Sequence, residues 1–122
     1  MIFDLPQTLE TTRKFVEAAG LSSRVQFQAG DFNQDEIQGT FDVCFLSHIV
    51  HGQNAEKNRK LFQKIFACLN PSGQLIVQDF FLNEDKQSPQ FAALFALMML
   101  IHTDGGRTYT FEEAEGWLKS AG

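Results

Sequence analysis

Asp4, Asp31, the stretch from His48 to His51, and Asp79 are the residues whose types and placement could support chemistry. Carboxylates accept hydrogen bonds from hydroxyls and amines, and an imidazole, with an ordinary pKa near ~6.5, accepts a proton at neutral pH. Each of these residues falls at or just after the carboxyl end of an expected strand. In open parallel sheets that edge is where ligands bind. Taken singly, each also has a plain structural explanation. Strand ends need polar residues, Asp4 can cap a helix starting at Pro6, and Gly30-Asp31 reads as an ordinary Asp turn. Cys44, His48 and His51 raise the question of zinc. A fourth ligand is missing and Cys44 lies inside an apolar strand, so no metal is expected.

The elements that must hold these residues can be read from spacing and punctuation. Ile2-Phe3-Asp4 reads as a strand end. Pro6 suits the first turn of a helix that runs to Ala19, with Gly20 as its stop. Val25, Phe27 and Ala29 alternate, predicting a strand over Arg24 to Ala29, and Gly30 to Asp35 is a polar loop. Phe41 to Leu46 is largely apolar and predicts a strand buried on both faces. His48 to Gln53 is a loop or short turn. Asn54 caps a helix to Leu69, whose Leu61, Ile65 and Leu69 recur every four residues, with Phe62 and Phe66 widening the stripe. Asn70-Pro71-Ser72-Gly73 breaks the chain before a strand from Gln74 to Phe80. Ser88 as N-cap and Pro89 at the first helical position open an apolar helix to Ile101. Thr110-Phe111-Glu112-Glu113 is a capping box for a last helix ending at Ala121-Gly122. The order β-α-β-β-α-β-α-α predicts an α/β fold with a parallel sheet covered on both sides.

Composition bounds the rest. The 122 residues suit one domain, spanning 1–122, and 43% apolar with 20% charged residues is globular. A net charge of -5, from 15 acidic against 10 basic residues, argues against nucleic-acid binding through a general basic field. The longest apolar run, Phe91 to Ile101, has 11 residues, too few to span a bilayer. The first residues carry no basic segment and no small-residue cleavage site, so no signal peptide is expected. Cys44 and Cys68 read as two buried thiols of a cytoplasmic protein. Thirteen Phe against one Trp and one Tyr is a large load of rings without a polar handle, which must be buried or line an apolar pocket.

The ordered set Phe3-Asp4-Leu5-Pro6, Arg24-Val25 through Gly30-Asp31-Phe32, Phe41-Asp42-Val43, Leu46-Ser47-His48-Ile49-Val50-His51, Leu69-Asn70-Pro71-Ser72-Gly73-Gln74-Leu75 and Gly105-Gly106-Arg107-Thr108-Tyr109-Thr110 resembles the cofactor-binding domain of S-adenosylmethionine-dependent small-molecule O-methyltransferases. The similar group includes plant caffeate-type enzymes and bacterial carotenoid and polyketide O-methyltransferases. The resemblance implies a Rossmann-like class I methyltransferase sheet and methyl transfer from S-adenosylmethionine to a hydroxyl of a small, aromatic or polyketide-like molecule. It implies that Asp4 holds the ribose hydroxyls, that Asp31 and Phe32 contact adenine, that His51 is the general base, and that Asp79 orients it. The helix from Phe91 to Ile101 resembles the segment lining the substrate pocket, with Phe91, Phe95, Met98 and Met99 as adaptable apolar surface; an ordinary core helix is the alternative. Gly52 and Thr108 stand where the family carries acids near the histidine.

The resemblance also implies that the domain is partial. The first strand with its glycine loop would precede Met1, and the last strands would follow Gly122. The strands at Ile2–Asp4 and Phe41–Leu46 are then expected either to pair directly or to be bridged by another chain. Apolar patches on the two terminal helices predict a homodimer or larger homo-oligomer. Two other readings stay open: a truncated, non-catalytic methyltransferase-derived fragment that oligomerises without binding cofactor, and a nicotinamide-dependent Rossmann domain.

Overall fold

The computed structural model describes all residues from 1 to 122, and the chain divides into two compact units, 1–39 and 40–122.

The first unit is a β-α-β segment: β1 (Ile2–Asp4), α1 (Pro6–Ala18) and β2 (Phe27–Ala29). Pro6 stands in the first turn of α1, where its missing N–H is not needed. The helix buries Leu9, and Arg13 lays its guanidinium 4.2 Å above the Phe27 ring, tying α1 to β2. Gly20 follows the helix at φ 69°, a conformation glycine adopts without strain. β1 and β2 run parallel with Asp4 opposite Ala29. β2 is shorter than the alternation predicts, because Arg24 donates its amide to Leu21 in a turn.

The second unit contains β3 (Phe41–Ser47), a single 3-10 turn (Val50–Gly52), α2 (Ala55–Cys68), β4 (Leu69–Gln78), β5 (Phe81–Leu82), α3 (Gln90–His102), β6 (Tyr109–Thr110) and α4 (Phe111–Ala121). Asn54 caps α2 by accepting the Lys57 amide. Thr110 and Glu113 form the expected capping box of α4. β3 pairs with β4 and β5 with β6, both parallel. Val50, Phe62, Tyr109, Ala114 and Trp117 form the core, with Leu46, Leu75, Val77 and Phe81 packed against it. The Trp117 ring meets Tyr109 edge-on at 4.7 Å and Phe62 at 6.1 Å.

The α/β reading holds in coarse form, since every ladder is parallel and helices lie between strands. The ladders are three two-stranded pieces, β1 with β2, β3 with β4 and β5 with β6. β3 is not buried on both faces. Its Leu46 packs toward the core with Leu75 and Val77, while Val43 and Phe45 are 51% and 59% exposed. Helices cover one face of this pair, so the largely apolar run overstates its burial. Residues 70–73 do not interrupt the chain as a loop. β4 starts at Leu69 opposite Phe41 and resumes at Gln74 opposite Val43, so the Asn-Pro-Ser-Gly segment is an irregularity within the strand. Ser88 does not cap α3. Its hydroxyl donates to Asp85, and Pro89 takes the N-cap position. α3 is not a core helix: Ala92 is its one buried residue, and Leu100 and Ile101 are 71% and 76% exposed. The short β5–β6 ladder was too brief to leave a period in the sequence.

Candidate functional site

In the second unit, β4 ends at Gln78 and the next residue, Asp79, turns its carboxylate onto the turn that carries His51. His51 Nδ1 lies 2.6 Å from Asp79 Oδ1, and the His51 amide donates to Oδ2 at 3.2 Å. The Phe80 amide also donates to Oδ1, at 2.7 Å. The Asp79 side chain is 2% exposed and that of His51 15%. Burial pushes the Asp79 carboxyl up, but the hydrogen bonds from the His51 ring and the two amides outweigh it and hold it below the usual value. Asp79 is therefore a carboxylate at neutral pH and accepts the ring N–H at Nδ1, so that in the neutral imidazole Nε2 is the acceptor. Rings surround this pair: Phe95 meets His51 edge-on at 4.8 Å, Phe80 stacks on it at 6.2 Å, and Phe91 touches Phe80 at 5.0 Å. His48, at φ 57°, packs against Phe80 at 4.9 Å.

His48, His51 and Asp79 each offer a ligand atom, and these atoms lie within 4.8 Å of one another. Both Asp79 oxygens are already hydrogen-bonded, one of them to the His51 ring, so a cation there competes with the pair itself. Cys44 does not join this group. Burial, aided by the neighbouring Cys68, pushes its thiol up to about 11, and both cysteines are free. A cavity of about 620 Å³ lies elsewhere in this unit, against Phe62, Phe66, Leu75 and Leu118, and has no titratable pair in its wall.

In the first unit, the Gly30 amide donates to the Asp4 carbonyl, so Asp4 and the Gly30–Asp35 loop share one end of the β1–β2 pair. Asp4 Oδ1 accepts the Leu5 amide at 2.7 Å. Asp31 accepts the Asn33 amide on Oδ1 and the Gln34 side chain on Oδ2, and Asp35 accepts the Asp31 amide. The Asp turn expected on structural grounds is thus formed. Phe32, the next residue, is half-buried. A carboxylate has about four acceptor positions, and Asp4 uses one of them for the Leu5 amide.

The family profile of the O-methyltransferase domain matches residues 1–122. The chain belongs to the O-methyltransferase domain family. It is 32% identical over 121 residues to the 3-hydroxy-5-methyl-1-naphthoate 3-O-methyltransferase of Streptomyces sahachiroi, an alignment covering 99% of this chain and 35% of that protein. An O-methyltransferase family 2 protein of Planctomyces limnophilus, solved in complex with apigenin, superposes with a TM-score of 0.91 at 32% identity, over 98% of this chain and 35% of that one. PigF, solved with SAH, gives 0.92 at 30% identity, over 99% and 36%. The chain thus spans about a third of the length of these relatives.

Gly52 and Thr108, where the resemblance implies acids, bring no carboxylate to His51. A Cβ at Gly52 would meet nothing within 4 Å. Thr108 is buried and donates its hydroxyl to the Ala92 carbonyl, tying the strand β6 side to α3. Sequence reading missed Asn58, Gln53 and Tyr109, which touch the His51 turn from buried positions. The one available signal was Asn58, a polar residue on the apolar face of α2.

Proposed function

We propose that this O-methyltransferase domain transfers a methyl group from S-adenosylmethionine to a hydroxyl of a small aromatic or polyketide-like molecule. The observation that carries the reading is the His51–Asp79 pair at 2.6 Å, just beyond a strand's carboxyl end, in a chain of this family. S-adenosylmethionine supplies the electrophilic methyl. Asp4 accepts from the ribose hydroxyls, while Asp31 and Phe32 hold the adenine by a hydrogen bond and by packing. His51 Nε2 takes the proton from the acceptor hydroxyl. Asp79 keeps the ring in the tautomer that makes this possible, and as an anion it stabilises the imidazolium that forms. Phe80, Phe91 and Phe95 around the imidazole suit a flat aromatic acceptor by edge-on and offset contacts.

The deciding experiment is His51→Ala, assayed for methyl transfer and for S-adenosylhomocysteine binding by calorimetry. Removing a general base lowers turnover by about 100- to 10,000-fold and leaves cofactor affinity unchanged. Asp79→Asn gives a smaller loss, and Asp4→Ala weakens cofactor binding. Full turnover by His51→Ala on a weakly acidic alcohol makes the histidine structural and leaves catalysis to alignment alone.

The exposed apolar residues Val43, Phe45, Phe91, Leu100 and Ile101 support self-association as a homodimer or larger assembly. The non-catalytic reading shares this observation. Cofactor titration separates the two, because a fragment that only oligomerises shows no heat with S-adenosylhomocysteine. Two free thiols suit a reducing compartment, which supports the cytoplasm. No helix is long and apolar enough to cross a membrane.

A further inference from the structure

A three-residue 3-10 turn cannot hold a side chain in place by itself. The Val50–Gly52 turn has only Gly52 N–H to Ile49 O at 3.1 Å and Gln53 N–H to Val50 O at 3.4 Å. Its partners come from elsewhere. Asn58, 0% exposed on α2, donates its amide to the Val50 carbonyl at 2.9 Å and accepts from the Gln53 side chain at 3.3 Å. Tyr109, 2% exposed on β6, donates its hydroxyl to the Gln53 carbonyl at 2.6 Å. Gly106 backs the turn from a third side, since a Cβ there would run into the His51 carbonyl. Asn58 shares its helix face with Leu61, Phe62 and Ile65, all buried, where an amide is unfavourable unless its bonds are made. Gln53 Oε1 is buried without a partner, so the arrangement is kept although one acceptor goes unused.

We infer that Asn58 and Tyr109 are positioning residues for His51: they grip the carbonyls at the two ends of its turn and so set the imidazole against Asp79. This rests on the reading of His51 as the base. Val50 and Gln53 flank the His51-Gly52 pair, so fixing both carbonyls fixes the peptide planes between them. The His51 amide and ring then meet the two oxygens of one carboxylate together, a match that fails if the turn tilts.

Tyr109→Phe is the cleaner test, because it removes one hydroxyl and keeps the ring against Trp117; Asn58→Leu is the stronger one. Both are measured on the labelled protein by amide hydrogen exchange and by imidazole nitrogen chemical shifts. The His51 and Gln53 amides should exchange about tenfold faster, the weight of one lost hydrogen bond, while β3–β4 amides keep their wild-type rates. The His51 ring should pass from one tautomer to a mixture. Turnover should fall about tenfold with the KM of the methyl donor unchanged, as a misplaced group lowers the rate and not the binding. Wild-type exchange and tautomer in Tyr109→Phe overturn the proposal, as does a uniform rise across all core amides, which marks plain destabilisation. Should Asn58→Leu fail to fold, Tyr109→Phe decides alone. A tautomer shift with unchanged turnover, together with an active His51→Ala protein, overturns the base reading and leaves the grip intact.

Discussion

The loop at Gly30–Asp35 and the turn at Val50–Gln53 follow strands and carry the candidate chemistry, yet they are held in opposite ways. The first is held mostly by its own side chains, with the Gly30 amide bonded to the Asp4 carbonyl at its start. Asp31 bonds Asn33 and Gln34, and Asp35 bonds back to Asp31, all within four residues. The second is held by residues up to 56 positions away: Asp79, Asn58 and Tyr109. A local loop forms wherever its sequence is written. A turn held from several elements exists only when the surrounding unit is folded. The placement of a general base can therefore be tuned from distant positions, whereas the Asp31 loop answers to its own residues.

Two glycines give the largest contrast. A Cβ at Gly106 would meet the backbone of His51 and Gly52, which cannot yield without moving the turn. A Cβ at Gly30 would meet the Asp35 carboxylate and the Phe3 ring edge, each at 2.8 Å. Those are side-chain ends and can rotate. Gly106→Ala should destabilise by about 1–3 kcal/mol, the usual penalty of overpacking, and Gly30→Ala by less. Urea unfolding of both variants checks the order. Equal losses would mean that the His51 turn yields as easily as the loop.

Protons probe the same contrast next. Asp79 has its carboxyl lowered in the folded state, burial being outweighed by its hydrogen bonds. A lowered acid stabilises fully above its unfolded pKa and loses that contribution as pH falls through the folded value. Stability carried by this group should thus decline below about pH 4, the ordinary range of an Asp side chain. Asp79→Asn should flatten that acid limb in denaturation followed against pH. An unchanged limb would show that the His51 pair does not couple to folding.

This contrast also explains what the sequence made legible. The α1 start at Pro6, the Asn54 cap and the Thr110–Glu113 capping box were readable because each is written within four residues. The Asp turn at 31 was readable for the same reason. His51 and Asp79 were named through family resemblance, because nothing local joins residues 28 positions apart. Asn58 and Tyr109 were missed for that reason too. The exposure of β3 was misread because an apolar run records what a segment tolerates, not which faces its neighbours cover.

The Asp31 loop supplies a smaller effect. Asp31→Ala removes the acceptors of Asn33 and Gln34, and an exposed side-chain hydrogen bond contributes about 1 kcal/mol net. Faster amide exchange should stay within residues 30–35. Acceleration that spreads through β1 and β2 would mean that the loop, like the turn, is built into its unit.

The smallest effect tests the turn from inside. Gly52 sits directly after His51 with nothing within 4 Å of where a Cβ would stand, and its φ is outside the left-handed region. A methyl group there meets no neighbour, and alanine narrows the unfolded ensemble that glycine widens. Gly52→Ala should therefore stabilise by about 0.4–1 kcal/mol. Gly52 and Gly106 lie on two sides of the same His51 backbone, so the pair separates two causes that a single substitution leaves mixed. If the turn needs glycine for its conformation, both substitutions destabilise. If it needs glycine only where another segment presses on it, Gly106→Ala destabilises and Gly52→Ala does not. Thermal unfolding of the two variants side by side distinguishes these outcomes, and a destabilised Gly52→Ala protein would show that the turn's own backbone, rather than its distant partners, limits where His51 can sit.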